Sequence, residues 1–435
     1  MIDLPAILAA RDHRVQQQKN LLSQYGRPLV SFTMNIAGPV KRTDLIEEAF
    51  AMGCTLLEGQ LRRVKAPILR ATHSVADTGC EALYVVDLDA RRLKELTVEL
   101  EDNTPAGRLF DMDVIDTDGI KLDRPHERCC LICGKPGAGC ARSRVHSVEE
   151  LQARTREILE AALNEWDAET AARLACRALL YEVSVTPKPG LVDRGNSGSH
   201  TDMDIYTFFD SISGLYPYFA QCVRIGRKTR QLPPIKTLEA LRTPGKLAEN
   251  AMLMTTGGVN THKGAIFTLG VLCGALGRLG RKQWKEDTLP AQEAASMCRF
   301  IRDDYNNPEP AQRLAQCQGE MGARGQIWQG LPQVYDYGLP ALEKALAQGK
   351  SKDEAGCEAL LAIMLNAKDT NLAARGGMEA MHWAEHYAWE LFKKESRTRA
   401  DFAEMDRAFQ ERNLSPGGCA DLLAVCWFVH FLKQE

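Results

Sequence analysis

The period of the apolar residues changes part-way along this chain, and the change limits the folds open to it. Before residue 148, short runs alternate apolar and polar side chains with a period of two. In residues 28–36 (PLVSFTMNI), Val30, Phe32, Met34 and Ile36 share one face and Leu29, Ser31, Thr33 and Asn35 the other. That is a strand with one buried side. Residues 82–86 predict a second strand and 108–115 a third, with helices from about Asp44 and across Leu93, Leu96 and Leu100. Ser147 and Glu150 then spell a capping box, and from there convincing strand runs cease. Helical periods follow over 148–164, 167–183, 205–219, 238–254, 264–279, 291–305, 340–347, 357–365, 378–392 and from Ala420. A single core rarely serves 435 residues. The expected fold is multidomain, a mixed α/β (α+β) domain over 1–155 followed by an all-α helical domain over 156–435.

Charge and composition remove several function classes. A formal net charge of -3 argues against a nucleic-acid partner. The longest uncharged apolar run, 264–277, is too short to span a membrane. Arg11, Asp12, His13 and Arg14 follow the first apolar residues at once, so no secretory leader is expected. Fourteen cysteines without such a leader point to reduced thiols in the cytoplasm.

In the helical part, chemistry concentrates on glycine-bearing connectors. Residues 186–203 (TPKPGLVDRGNSGSHTDM) carry Lys188, Asp193, Arg194, Asn196, His200 and Asp202 with no helical or strand period, which predicts an ordered loop. Gly257, Gly258, Asn260, His262 and Lys263 lead directly into an apolar helix, and a glycine-rich helix entry with a lysine is a ready anion site, a simple turn being the other reading. Lys368, Asp369, Asn371 and Arg375 cluster at another helix end, and residues 415–418 (SPGG) precede the last helix with Asp421 in its first turn. Helix punctuation is the alternative reading of the glycines, and a histidine beside them is often a structural hydrogen-bonder.

Two features stand out in the first part. In RLFDMDVI, Asp111 and Asp113 point to the same sheet face. Paired carboxylates repel unless a cation lies between them, and Mg²⁺ carrying a polyphosphate would serve; a solvated strand face before the Asp118-Gly119 hairpin is the other reading. Cys130 and Cys133 form a CxxC that Cys140 and His146 could complete as a tetrahedral Zn²⁺ site. A metal-free knuckle fits the same residues.

PKPGLVDR…N.G.H.DM, TTGGVNTHKG, NAKDTNLAARGG and SPGGCADLLA resemble, in order, the motifs of the triphosphoribosyl-dephospho-CoA synthase family, from about Ala171 to the C-terminus. The resemblance implies that the 2′-hydroxyl of dephospho-CoA attacks the ribose C1 of ATP and adenine departs. Such a reaction needs a carboxylate near the sugar, a base for the hydroxyl, and Mg²⁺ with several cations on the triphosphate. Asp193, Asp202 and Asp369 are the candidates for the carboxylate and metal roles, and His200 or His262 for the base. Lys188, Arg194, Lys263, Lys368 and Arg375 are the candidate phosphate contacts, with Asn196, Gly257, Gly258, Asn260 and Asn371 as further binding positions.

NIAGPVKR, GRLFDMDV and RCCLICG…CARSRVHSVEEL resemble the apo-citrate lyase phosphoribosyl-dephospho-CoA transferase family across the first 155 residues. This implies a nucleotidyltransferase-like fold, although the Gly-Ser pair that polymerase-like members carry before their aspartates is absent. It also implies transfer to a serine of the citrate lyase acyl carrier protein with release of pyrophosphate. Asp111 and Asp113 become Mg²⁺ ligands on this reading, and Arg108, Lys41 and Arg42 phosphate contacts. The sequence therefore reads as a fused enzyme whose second half makes what its first half attaches. The equivalent pathway for malonate decarboxylase, or an N-terminal zinc binding module joined to the synthase, are the alternatives.

Overall fold

A computed structural model describes residues 4–299 and 322–435. The chain divides into two compact units, Met1–Glu165 and Trp166–Glu435.

The first unit is built on four strands: β1 (Leu29–Met34), β2 (Ile68–Ala76), β3 (Gly79–Val86) and β4 (Phe110–Ile115). They form one sheet in the order β2-β3-β1-β4, and every pairing is antiparallel. The helices are α1 (Leu4–Tyr25), α2 (Asp44–Arg63) and α3 (Ala90–Asn103). Thr43 and Asp89 start the last two by accepting backbone N–H bonds. Phe32 of β1 is fully buried, stacked on Phe50 of α2 at 4.9 Å and edge-on to Phe110 of β4 at 5.3 Å. The architecture is thus α+β rather than a parallel α/β sheet. Strand β2 lies outside the expected set. It is a mostly exposed edge strand, so ILRATHSVA carries no apolar alternation. Gly119, at φ +82, closes the turn expected after β4, and Ile115 bridges to Lys121.

A short helix, α4 (Gly137–Arg142), precedes α5 (Val148–Ser184). The capping box forms, with the Ser147 N–H donating to Glu150 at 2.8 Å and the Glu150 N–H to Ser147 at 3.1 Å. The two helices expected at 148–164 and 167–183 are one. Residues 164–167 contain neither glycine nor proline, and Asp167 is held by Arg227 at 3.0 Å and Arg281 at 3.2 Å.

In the second unit follow α6 (Ile205–Thr229), α7 (Pro234–Thr255), α8 (Lys263–Arg278), α9 (Leu289–Met297), α10 (Gly322–Trp328), α11 (Leu339–Ala347), α12 (Lys352–Met364), α13 (Thr370–Phe392), α14 (Arg399–Glu411) and α15 (Gly417–Leu432). The later part of the expected helix 291–305, residues 300–305, lies outside the described residues. Helix α14 was not anticipated, because only Phe402, Met405, Asp406 and Phe409 of its thirteen residues are buried. Helices α8 and α15 run through the apolar core, which includes Leu269, Leu272, Trp427 and Phe428. Non-helical backbone at Gly376 and Gly377 breaks α13 after its first turns. Among the described residues, no helix is long and apolar enough to cross a membrane.

Candidate active sites

In the second unit, all four glycine-bearing connectors reach one cavity of about 410 Å³. Lys188 and His200 come from the 186–203 loop, Asn260, His262 and Lys263 from the entry to α8, Lys368, Asn371 and Arg375 from the start of α13, and Gly417, Gly418 and Asp421 from the start of α15. The floor is ionic. Lys188 and Glu182 are both buried and paired to each other. Burial raises the Glu182 carboxyl and Lys188 opposes that rise. Asp421 lines the cavity beside them, and burial, with the Glu182 and Asp369 carboxylates nearby, pushes it well above the usual carboxylate range. Gly264 makes room for it: a Cβ there would stand 1.9 Å from the Asp421 Oδ2.

The two histidines differ. The His200 ring takes a bond from Arg375 Nη2 to Nδ1 at 3.2 Å and meets Ser415 Oγ through Nε2 at 2.9 Å. Burial first, then Arg375, lowers its pKa. His262 is deeper, with Nδ1 2.8 Å from Ser211 Oγ and its ring edge-on to Phe208. Burial and the Lys188 charge lower it to about 3, so it is neutral at physiological pH. Its Nε2 has no hydrogen-bond partner among the described residues, and neither have Thr261 Oγ1 and Gln326 Oε1, also on residues that line this cavity. Buried polar atoms left unpaired are costly, which suits a wall awaiting a polar ligand.

Other expected site residues do not line this cavity. Asp193 is buried and accepts N–H bonds from Lys188 at 2.9 Å, Gly195 at 2.6 Å and Asn196 at 3.1 Å. Its carboxylate thus shapes the loop. Asn196 bonds Asp406 of α14 at 2.9 Å, and the Gly190 N–H donates to the same carboxylate. Asp369 caps α13 through the Asn371 and Leu372 N–H groups and also accepts from Cys419 of α15 at 2.8 Å. Asp202 is exposed, 3.9 Å from His200, and Arg194 pairs with Asp353. Gly257 and Gly258 do not open α8. At φ +66 and +95 they turn the chain out of α7, where the Gly258 N–H closes on the Leu253 carbonyl at 2.7 Å.

In the first unit, Asp111 and Asp113 share one face of β4, opposite Thr33 and Ser31 of β1. Lys121 stands 2.6 Å from Asp113 and Arg128 3.6 Å from Asp111, so cations of the chain itself offset their repulsion. Arg128 also reaches the buried Glu101, which accepts the Met112 N–H at 2.7 Å. Arg108 is half-buried and donates to the Cys129 carbonyl at 2.7 Å. Lys41 is tied to the Ile36 carbonyl, and Arg42 pairs with Glu47 at 2.7 Å and Asp77 at 3.5 Å. Cys130, Cys133, Cys140 and His146 bring their donor atoms within 4.8 Å of one another. Interaction with His146 draws the Cys133 thiol down to about 6.

Residues 168–435 match the family model described as ATP:dephospho-CoA triphosphoribosyl transferase. Residues 2–162 match that of apo-citrate lyase phosphoribosyl-dephospho-CoA transferase. Protein CitXG of Haemophilus influenzae is 34% identical over 458 aligned residues, covering 98% of this chain and 96% of that protein. The chain belongs to the fused CitXG family. A probable 2-(5''-triphosphoribosyl)-3'-dephosphocoenzyme-A synthase of Photobacterium profundum is 39% identical over 60% of this chain and 87% of its own length. A Vibrio cholerae protein of the same description is likewise 39% identical, with the same coverage. As a CitXG-family member, the chain is a bifunctional transferase of citrate lyase prosthetic-group synthesis.

Against that family background, the cavity holds residues that sequence reasoning passed over: Glu182, Glu249, Arg324 and Gln326, besides Asp421, which was noted only for its place in a helix. Glu182 gave one signal, a lone carboxylate in an apolar stretch of α5 flanked by Tyr181 and Val183. Glu249 gave none, since α7 has polar residues on several sides.

Proposed function

We propose that the 166–435 unit binds ATP and dephospho-CoA in the 410 Å³ cavity and joins them there. The 2′-hydroxyl oxygen of dephospho-CoA bonds to ribose C1, the C1–N bond of ATP breaks, and the one proton that the hydroxyl gives up is balanced by the one that adenine carries away. Asp421 accepts the hydroxyl proton, because a carboxyl raised by burial lies closer to the working pH than an ordinary aspartate. Glu182, held in place by Lys188, places negative charge near the sugar as positive charge develops at C1. Lys263, Lys368, Arg375 and His200 surround the triphosphate, while Asn260, Asn371 and the neutral His262 offer hydrogen bonds. Asp193 and Asp369 act at one remove, by fixing the loops. Mg²⁺, when bound, offsets triphosphate charge, and the exposed Asp202 supplies a hard oxygen donor for it.

The 1–165 unit then carries out the transfer, on a nucleotidyltransferase-like plan. A serine hydroxyl of the citrate lyase acyl carrier protein displaces pyrophosphate, and the phosphoribosyl-dephospho-CoA unit becomes attached to that serine. Asp111 and Asp113 offer a pair of hard oxygen ligands on one sheet face, which fits Mg²⁺, and Arg128 borders Asp111. The soft set Cys130, Cys133, Cys140 and His146 suits Zn²⁺ instead. Free thiols throughout the described cysteines support a reducing, cytoplasmic setting.

Convergence of four separate connectors on one cavity with unpaired polar atoms in its wall carries this reading. Incubation with ATP, Mg²⁺ and dephospho-CoA is expected to release adenine only when dephospho-CoA is present. Formation of ADP and phosphate instead would point to a kinase or ATPase. Apo-citrate lyase carrier protein should then become modified with pyrophosphate release, and the malonate decarboxylase carrier should not.

A further inference from the structure

The cysteine cluster of the first unit has the geometry of a closed metal site. Tetrahedral zinc, with Zn–S near 2.3 Å and Zn–N near 2.0 Å, holds its ligand atoms roughly 3.5–3.8 Å apart. Cys133 Sγ and Cys140 Sγ stand 3.5 Å apart, and all four donor atoms of Cys130, Cys133, Cys140 and His146 lie within 4.8 Å of one another. A disulfide would need about 2.05 Å. His146 offers one ring nitrogen to the three thiols, and its enclosed Nε2 has no hydrogen-bond partner among the described residues. The backbone is already folded as a knuckle. The Cys130 N–H donates to the Lys135 carbonyl at 2.7 Å, the Gly134 N–H to the Cys130 carbonyl at 3.2 Å, and the Val145 N–H to the Cys140 carbonyl at 3.2 Å. Cys129 pairs with Pro136 across the same turn.

That knuckle is joined to the aspartate pair. Arg128 leaves it to meet Glu101 and Asp111, and Arg108 docks on the carbonyl of Cys129. The Arg128 carbonyl in turn accepts the Gly137 N–H at 2.9 Å. We propose that Cys130, Cys133, Cys140 and His146 bind a structural Zn²⁺ ion, which rigidifies the segment from 128 to 146 and so positions Arg128 beside Asp111 and seats Arg108 on the Cys129 carbonyl. The metal site stands on geometry alone; the positioning role rests on the transferase reading above.

The test uses the full chain, produced with added zinc, purified under reducing conditions and analysed by mass spectrometry for metals. About one zinc per chain is expected. Cys133→Ser and Cys140→Ser should lose it, His146→Cys should keep it by offering a fourth thiolate, and Cys129→Ser, an exposed thiol outside the quartet, should keep it too. In Cys133→Ser the KM for triphosphoribosyl-dephospho-CoA in the transfer reaction should rise about tenfold or more. Adenine release should be unchanged, and His146→Cys should transfer normally. Wild-type chain without zinc after supplementation, or Cys133→Ser with wild-type zinc, overturns the metal site. Zinc lost with no change in transfer KM overturns the positioning role while leaving the transferase reading intact. Absence of transfer by the zinc-loaded wild type would sink the transferase reading and the positioning role together, and the metal site would stand.

Discussion

His262 shows what burial does to one residue's chemistry. Its ring is held by Ser211 and Phe208, and the pKa falls to about 3 from an ordinary 6.5. At neutral pH neither the folded nor the unfolded chain carries this charge. As pH falls below about 6.5 the unfolded chain takes up a proton that the folded one refuses, so stability is lost progressively down to about pH 3. The loss is at most about 5 kcal/mol. His262→Asn should therefore flatten the pH dependence of unfolding over that window, as read by denaturant titration at several pH values; an unchanged slope would contradict the burial argument. Lys188 makes a second case. Replacing it by Met leaves Glu182 buried without its partner and should cost about 3 kcal/mol or more, whereas the Lys188→Met, Glu182→Leu double variant should recover most of that in the same titration. Asp421→Asn removes the proposed proton acceptor while keeping its shape. Adenine release should fall by about 10²–10⁴ with the melting temperature nearly unchanged; a mild loss would move the base elsewhere.

Between helices, the informative contact is the entry of α8 against α15. A methyl group at Gly264 would occupy the place of the Asp421 carboxylate. Gly264→Ala should thus lower adenine release by about tenfold or more without abolishing the helical fold, a combination that circular dichroism and the adenine assay together would reveal. Elements were legible in the sequence where one face was buried. β4 alternates because one of its faces is buried, and Asp111 and Asp113 were readable as a pair for the same reason; β1 is buried on both faces, where Leu22 of α1 packs on Leu29, and its alternation in sequence rests on the small polar Ser31. β2 was hidden because an exposed edge strand has no apolar side to betray it. The four connectors announced themselves by composition, but their individual duties did not. Whether Asp193 faces a ligand or its own loop depends on where Lys188, Gly195 and Asn196 turn their N–H groups, and one-dimensional spacing does not contain that. Gly257 and Gly258 looked like the start of a helix because α8 begins a few residues later; their positive φ belongs to the end of α7.

For the molecule as a whole, two compact units in one chain carry two family matches whose reactions are consecutive. Asp421→Asn should block adenine release and leave transfer of supplied triphosphoribosyl-dephospho-CoA intact. Asp111→Asn with Asp113→Asn should do the reverse. Mixing the two variants with ATP, dephospho-CoA and apo carrier protein should restore carrier modification, after a lag while the freed intermediate accumulates. No restoration, with each variant active in its remaining step, would mean that the intermediate never leaves the chain on which it forms.

Asp369 has one more implication. A single carboxylate takes amides from the first turn of α13 and from that of α15, so two sides of the pocket are geared to each other through one acid. A substrate that settles against either side is expected to hold both in place, so that the second meets a surface already set. Order of addition, where the enzyme shows one, would then originate in this shared gear and require no contact between the two substrates.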